Sequence, residues 1–346
     1  MDCKRINVLI GKPNVGKSNI LEALSLFIAP YADRSKKILE DYIRYEKLSN
    51  LFYDQDRKNQ ISVKTNLGFA ALRFHMNSIN SYDIMMGADI NILNAMNQSD
   101  SGNSMNDMSK YFENIVTKDD LGYENLAIKP FYAPFNDKSN FNHNGGNYYD
   151  SPIKSYKFKS LTEYKNNFAS FLSPPFGDNL FTILESNPEL YEECASFFAN
   201  YNLYMTLNQG DEKIEIVKNI RGRTYSTPYS LSSDTLRRFI FHIAAIETNK
   251  DSILLFEEPE SHSFPPYIYR LAEKIIEDEH NQYFIATHSP YLLTPFIEQC
   301  PIEDLAIFIA GYENYETTIK ALSQEEIQNI METGIDLFFN IRAFQK

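Results

Sequence analysis

The sequence predicts an α/β fold: a mostly parallel sheet flanked by helices, with an inserted mixed α/β lobe. Three observations predict it. Ile6–Ile10, Ser252–Phe256 and Tyr283–Ala286 are short apolar runs with the length of buried strands. The first two lead into segments whose apolar residues read as helical. Between the first run and the other two, the composition shifts to Asn, Ser, Asp and Gly, most visibly at Asn97–Asn106 and Asn136–Asn147.

Taken in order, Ile6–Ile10 reads as a strand, a Gly/Pro/Asn loop follows, and Ile20, Leu21, Leu24, Phe27 and Ile28 mark a helix over Asn19–Ile28. Ile61–Thr65 alternates as a strand does. Residues 76 to 150 read as irregular, with a strand at Ile128–Tyr132, and residues 160 to 205 read as helical. There Asn187 is an expected N-cap, Pro188 a first helical residue, and Leu190, Cys194, Phe197 and Phe198 one apolar face. Tyr204–Leu207 and Ile214–Val217 suggest a hairpin around Asn208–Asp211. An α/β rhythm then returns, with helices at Leu236–Glu247 and Pro266–Ile276 and a closing hairpin of Leu305–Ala310 and Thr317–Ala321. Residues 1–75 and 225–346 are therefore expected to form two halves of one core, and 76–224 an inserted lobe with a helical part. A sustained heptad pattern and a repeat of solenoid period are both absent, which excludes a long coiled-coil arm.

Composition narrows the function classes. A net charge of −13 over 346 residues repels polyanions at long range and argues against a large nucleic-acid surface. The best local candidate for DNA contact is Lys154, Lys157 and Lys159 interleaved with Tyr156 and Phe158, for which a solvated strand face is the favoured reading. Cys3, Cys194 and Cys300 lie far apart, as expected of reduced thiols in a cytoplasmic protein. No apolar run approaches the ~20 residues that span a bilayer, so no membrane partner is expected.

Gly11-Lys12-Pro13-Asn14-Val15-Gly16-Lys17-Ser18 matches G-x-x-x-x-G-K-[ST] in full. Glycines at these places let backbone amides wrap phosphates, the lysine reaches the terminal phosphates, and the Ser18 hydroxyl can ligate Mg²⁺. The expected binding set runs through Gly11, Asn14, Val15, Gly16, Lys17, Ser18 and Asn19. Chance occurrence in a chain this long is roughly one per cent from background frequencies. Further on, Ile253–Phe256 delivers the paired acids Glu257 and Glu258 to a strand end, as a Mg-nucleotide site requires. His288, 30 residues after Glu258, follows the next strand in Thr287-His288-Ser289 and is placed to bond a phosphate or an attacking water. Tyr229–Thr235 opens the helix over Leu236–Glu247; its hydroxyls could cap that helix or receive a phosphate from another subunit, and capping is the favoured reading of the segment alone.

Together these four segments resemble the ABC/SMC-type ATPases, and Glu257-Glu258-Pro259-Glu260-Ser261-His262 resembles the E-P-E-x-H element of small AAA-like ATPases related to the OLD and RecF groups. The resemblance covers roughly residues 5–65 and 225–325. It implies ATP and Mg²⁺ as ligands, with Glu257 beside the metal, Glu258 as the catalytic carboxylate and His288 as the switch histidine. It implies a homodimer in which Ser232 and Ser233 face the γ-phosphate held by a second subunit, supported by Arg237 and Arg238. The metal-sensing glutamine has no clear counterpart; Gln55 is the expectation, and Gln60 lies in the same region. Asp234 stands where such signatures have Gly, and the initial strand and hairpin are short or missing. The implied function is an ATPase whose ATP-driven dimerisation controls a separate effector such as a nuclease or toxin, in phage (antiviral) defence. The alternative is a DNA-binding repair ATPase of the RecF kind.

Overall fold

The computed structural model describes residues 1–31, 39–75, 81–88, 128, 131–136, 151–165 and 170–344. The chain divides into two compact units, Met1–Leu21 with Lys154–Lys346, and Glu22–Ile153. Most of the irregular stretch expected over 76–150 lies outside the described residues.

The first unit is built on a sheet of six described strands: β1 (Ile6–Gly11), β6 (Ile153–Tyr156), β10 (Ile253–Glu257), β11 (Gln282–Ala286), β12 (Leu305–Glu313) and β13 (Glu316–Ala321), in the order β13-β12-β1-β11-β10-β6. β12, β1, β11 and β10 run parallel, and β13 returns antiparallel from β12. All six residues of β1 are buried, which is why it reads as a continuous apolar run and not as an alternating one. Ile6, Val8 and Ile10 share one core with the helices α2 (Leu180–Ser186), α3 (Pro188–Ala199), α4 (Asp234–Thr248), α5 (Pro265–Glu277), α6 (Pro290–Gln299) and α7 (Gln324–Thr333). A last short helix, α8, spans Ile341–Phe344.

Within this unit α3 begins at Pro188 as expected, but Asn187 does not cap it. Its side-chain amide instead donates to Ile183 O at 2.8 Å, closing the end of α2. The expected hairpin is β7 (Tyr204–Asn208) with β8 (Lys213–Ile220), and a third strand, β9 (Arg223–Pro228), extends it. Being exposed at all six positions, β9 lacks the alternation that would betray it in sequence.

The second unit holds an antiparallel sheet of β2 (Ile61–Thr65), β3 (Gly68–His75), β4 (Ser81–Gly87) and β5 (Phe131–Asn136). β5 occupies Phe131–Asn136, a shift from the expected Ile128–Tyr132; Ile128 sits in a bend. Arg73 on β3 lies opposite Asp83 on β4 and bonds it at 3.0 and 2.7 Å, while His75 reaches the same carboxylate at 2.7 Å. Burial alone would raise the Asp83 pKa, but the bonds from His75 and Arg73 outweigh it and hold the carboxyl below its usual range. His75 is thus a structural histidine. Among the described residues no helix is long and apolar enough to cross a membrane.

Candidate nucleotide site at the carboxyl edge of the sheet

Parallel strands bring their carboxyl ends to one edge, and connections leaving that edge gather residues that are distant in sequence. In register, Leu9 of β1 pairs with Ala286 of β11, and Ala286 pairs with Glu257 of β10. Gly11, Glu258 and His288 each follow within two residues of this row. At about 4.8 Å per strand, the loop after β1 and the acids after β10 are roughly 10 Å apart. That span accommodates a phosphate chain with its metal.

The loop after β1 has the backbone that its residue types permit. Asn14 takes the left-handed conformation at φ 61°. Gly16 has φ 93°, and a Cβ there would sit 2.2 Å from Thr317 Oγ1 on β13, so the position accepts glycine alone. Lys17 opens α1 (Lys17–Leu24) and is buried. Its Nζ donates to Gly11 O at 3.0 Å and Lys12 O at 2.9 Å, arching the side chain back across the loop. Burial lowers its pKa, while the charges of Glu258 and Glu257 pull the other way. Those opposing influences place both acids within electrostatic reach of Lys17. Val15 is buried, Ser18 half-buried in the first turn of α1, and Asn14 and Asn19 exposed.

Glu258 leaves β10 through a left-handed backbone, φ 45°, a conformation that non-glycine residues hold only under tertiary constraint. Its N–H donates to Ala286 O at 2.8 Å, and Ser261 N–H donates back to Glu258 O at 3.0 Å across Pro259. A tight turn therefore pushes the Glu258 carboxylate out into solvent, where Ser261 Oγ donates to it at 3.1 Å. His288 Nε2 stands 3.7 Å from Glu258 Oε1. Burial and the nearby Lys17 charge lower the His288 pKa, against a smaller opposing pull from Glu258, which favours the neutral ring.

Two residues without an assigned role in the sequence join this constellation. Glu260 is buried, and its Oε1 accepts from Thr287 Oγ1 at 2.6 Å and from His288 N at 3.0 Å. Glu260 was visible as the second acid of E-P-E, but nothing in the motif says that it turns inward. Thr287, flanking the histidine, is fully buried.

The remaining expected residues lie elsewhere. Ser232 and Ser233 precede α4 beside an apolar groove of about 510 Å³ that Leu231, Tyr201, Phe264 and Tyr267 help to line. Ser233 occupies the N-cap position without a side-chain cap bond, and Ser232 Oγ donates backwards to Tyr229 O at 2.7 Å, so the capping reading of this segment is corrected. Thr235 Oγ1 donates to His262 O at 3.3 Å, tying the start of α4 to the turn after Glu258. Asp234 is held by Arg237 at 3.0 Å and Arg238 at 2.8 Å on its own helix, which neutralises the carboxylate. Arg238 also lies over the Phe158 ring at 4.5 Å. Gln55 belongs to the second unit, exposed in the turn Tyr53–Gln55. Lys154 departs from the solvated strand face expected of it. It is buried, its Nζ donating to Asn249 Oδ1 at 2.7 Å and Ser252 Oγ at 3.0 Å, and so unavailable to DNA.

A phosphate loop at the carboxyl edge of a parallel sheet, faced by acids and a histidine from the next two strands, is the arrangement of a P-loop ATPase. It belongs to the family described as "AAA domain, putative AbiEii toxin, Type IV TA system", which matches residues 88–294, more than half of the chain. Among proteins of known description, it is 22% identical over 308 residues to an "ATP/GTP phosphatase" of Helicobacter pylori, covering 82% of this chain and 80% of that one. Among solved structures, an SMC head bound to the C-winged helix domain of ScpA aligns over 94% of this chain and 92% of its own, at 12% identity and a TM-score of 0.44. The SMC head domain of Thermotoga maritima aligns over 92% and 90%, at 13% identity and a TM-score of 0.37.

Proposed function

We propose that this ATPase binds Mg-ATP at the carboxyl edge of the sheet and uses the binding energy to close two copies of the chain on each other. The observation that carries the reading is Lys17, folded over its own loop and acted on by both Glu257 and Glu258. In this reading the amides of Gly11 and of Asn14 to Asn19 cradle the phosphates, and Lys17 neutralises the terminal ones. A Cβ at Gly16 would strike Thr317 on β13, so this glycine lets the loop lie close against the sheet. The donors Ser18 and Glu257 are hard oxygens suited to Mg²⁺, and the ion would supply charge neutralisation at the transferred phosphate.

Glu258 then polarises the attacking water, a role worth roughly 10²–10⁴ in rate. Neutral His288 donates an N–H to the terminal phosphate and stabilises charge developing there. Ser232 and Ser233, at the mouth of α4, face the phosphate of the second copy, and the pairing of Asp234 with Arg237 and Arg238 removes the repulsion that a bare carboxylate would bring. Closure and reopening of this dimer control a separate effector. The family description, with its toxin–antitoxin system, supports an effector of the toxin kind and a place in antiviral defence.

Calorimetry of the full chain with Mg-ATP, together with mass by light scattering, tests the proposal. The expected result is saturable uptake, with a doubling of mass that is most persistent in Glu258→Gln. A chain that takes up Mg-ATP and stays monomeric in both forms would remove the dimer, and absence of uptake would remove the site.

A further inference from the structure

The turn that carries Glu258 also contains a buried acid that the mechanism above does not use. Glu260 is 8% exposed, and its two carboxyl oxygens have unequal surroundings. Oε1 accepts two hydrogen bonds, from Thr287 Oγ1 at 2.6 Å and from the His288 backbone N–H at 3.0 Å. Oε2 is buried and has no hydrogen bond from another side chain among the described residues. A carboxylate kept for its charge would be expected to engage both oxygens or to face a cation, because an uncompensated buried charge is costly. Here the bonds from Thr287 and His288 both fall on one oxygen.

That oxygen sits at a junction. Thr287 Oγ1 donates to Glu260 and in turn accepts from Ser289 N–H at 3.0 Å, while Thr287 N–H donates to Leu9 O at 3.1 Å. One acceptor atom therefore locks the point where β11 ends, where α6 begins, and where His288 departs between them. At the other end of the same turn, Glu258 O is held by Ser261 N–H and Glu258 N–H by Ala286 O. Glu258 and Glu260 belong to one closed turn, so fixing Glu260 to the Thr287–His288 peptide fixes the Glu258 carboxylate relative to the His288 ring.

We propose that Glu260 is a positioning residue for ATP hydrolysis, acting as a hydrogen-bond acceptor and not as a charge, and setting His288 and Glu258 at their working separation. The inference rests on the nucleotide reading of this site and adds to it a residue that touches neither phosphate nor water. Burial, the largest influence, raises the Glu260 pKa, the bonds from Thr287, from its own backbone N–H and from His288 lower it, and the net displacement is upward, consistent with an acid that tolerates a proton.

The test compares the same substitution at two positions two residues apart. Glu260→Gln keeps the acceptor oxygen and replaces only the other one; Glu258→Gln removes the carboxylate that faces water. Turnover of Glu260→Gln is expected within about threefold of wild type, whereas Glu258→Gln loses roughly 100-fold or more. Glu260→Ala, which deletes the acceptor, is expected to lower kcat by roughly 100-fold while the Kd for Mg-ATP stays within about threefold, since the phosphate loop is untouched. Thr287→Val removes the hydroxyl partner and should move kcat the same way; it carries the acceptor test if Glu260→Ala fails to fold by circular dichroism. A Glu260→Gln protein as inactive as Glu258→Gln, beside an active wild type, overturns the inference alone. So does a folded Glu260→Ala or Thr287→Val protein at wild-type kcat, or a parallel loss of kcat and Mg-ATP affinity. A wild type that binds no Mg-ATP overturns the site and the inference together.

Discussion

The sheet of the first unit has two edges, and each contains a buried lysine. At the carboxyl edge Lys17 spends two bonds on carbonyls of its own loop, has acids within reach, and sits among left-handed residues such as Asn14 and Glu258. At the amino edge Lys154 is enclosed: Asn249 Oδ1 and Ser252 Oγ accept from it, and the Phe171 ring lies 3.7 Å from its ammonium. Around it Asn249 donates to Tyr156 Oη and Asn281 donates to Asn249 O. Nearby, Arg5 donates to Ile275 O at 3.2 Å, Ile276 O at 3.1 Å and Asp278 O, covering carbonyls at the end of α5. The amino edge is a closed network whose donors and acceptors satisfy one another. The carboxyl edge is strained and partly exposed, with left-handed backbone at Asn14 and Glu258. Left-handed backbone held by tertiary constraint clusters at ligand sites, which supports the proposal that the carboxyl edge is the one that works.

The sharpest way to break the comparison is to remove each lysine. Lys17→Ala is expected to weaken Mg-ATP binding beyond roughly 100-fold, because the terminal phosphates lose their neutralising charge. Lys154→Met should leave that affinity unchanged; equal losses in calorimetry would mean that the two edges do not differ as described. Next in size, Glu258→Gln should lower kcat by roughly 10²–10³ while still binding ATP. Steady-state turnover near the wild-type rate would remove Glu258 from its role.

Lys154 also sharpens the contrast through pH. Burial pushes its ammonium down to about 8 from the ordinary 10.5. Between these values the unfolded chain holds more protons than the folded one, so this group makes stability rise as pH climbs from about 8 to 10.5, while below 8 the full penalty is present. The rise is on the order of 3 kcal/mol. Urea unfolding across that range should show wild type gaining stability relative to Lys154→Met as pH rises; a constant difference would contradict the assignment. Smallest of all, Ser252→Ala removes one acceptor from the amino network and should cost about 1 kcal/mol with no change in kcat. A fall in turnover there would show that the amino edge is coupled to the working one.

How far the sequence was legible follows the distance over which each feature is decided. The phosphate loop was readable because eight contiguous residues carry its geometry: glycines where the backbone turns, a lysine where the helix begins. β10 and β11 were readable because strands buried on both faces must be apolar along their whole length. The α/β core and the paired acids followed from those local signals. β9 was not readable, since an exposed strand needs no apolar pattern, and β5 was misplaced by a few residues because its boundary depends on pairing with β4.

By itself, then, the chain determined its nucleotide loop, the order of strands and helices, and the acids and histidine that end β10 and β11. Only the tertiary structure decided that Glu260 turns inward to Thr287 and His288 and that Lys154 is enclosed and not displayed. The reason is physical. Local conformation responds to neighbours along the chain, whereas burial of a charged side chain depends on partners supplied from 27 to 98 residues away, such as Thr287 for Glu260 and Ser252 for Lys154. No periodicity in the sequence records which of those partners will arrive.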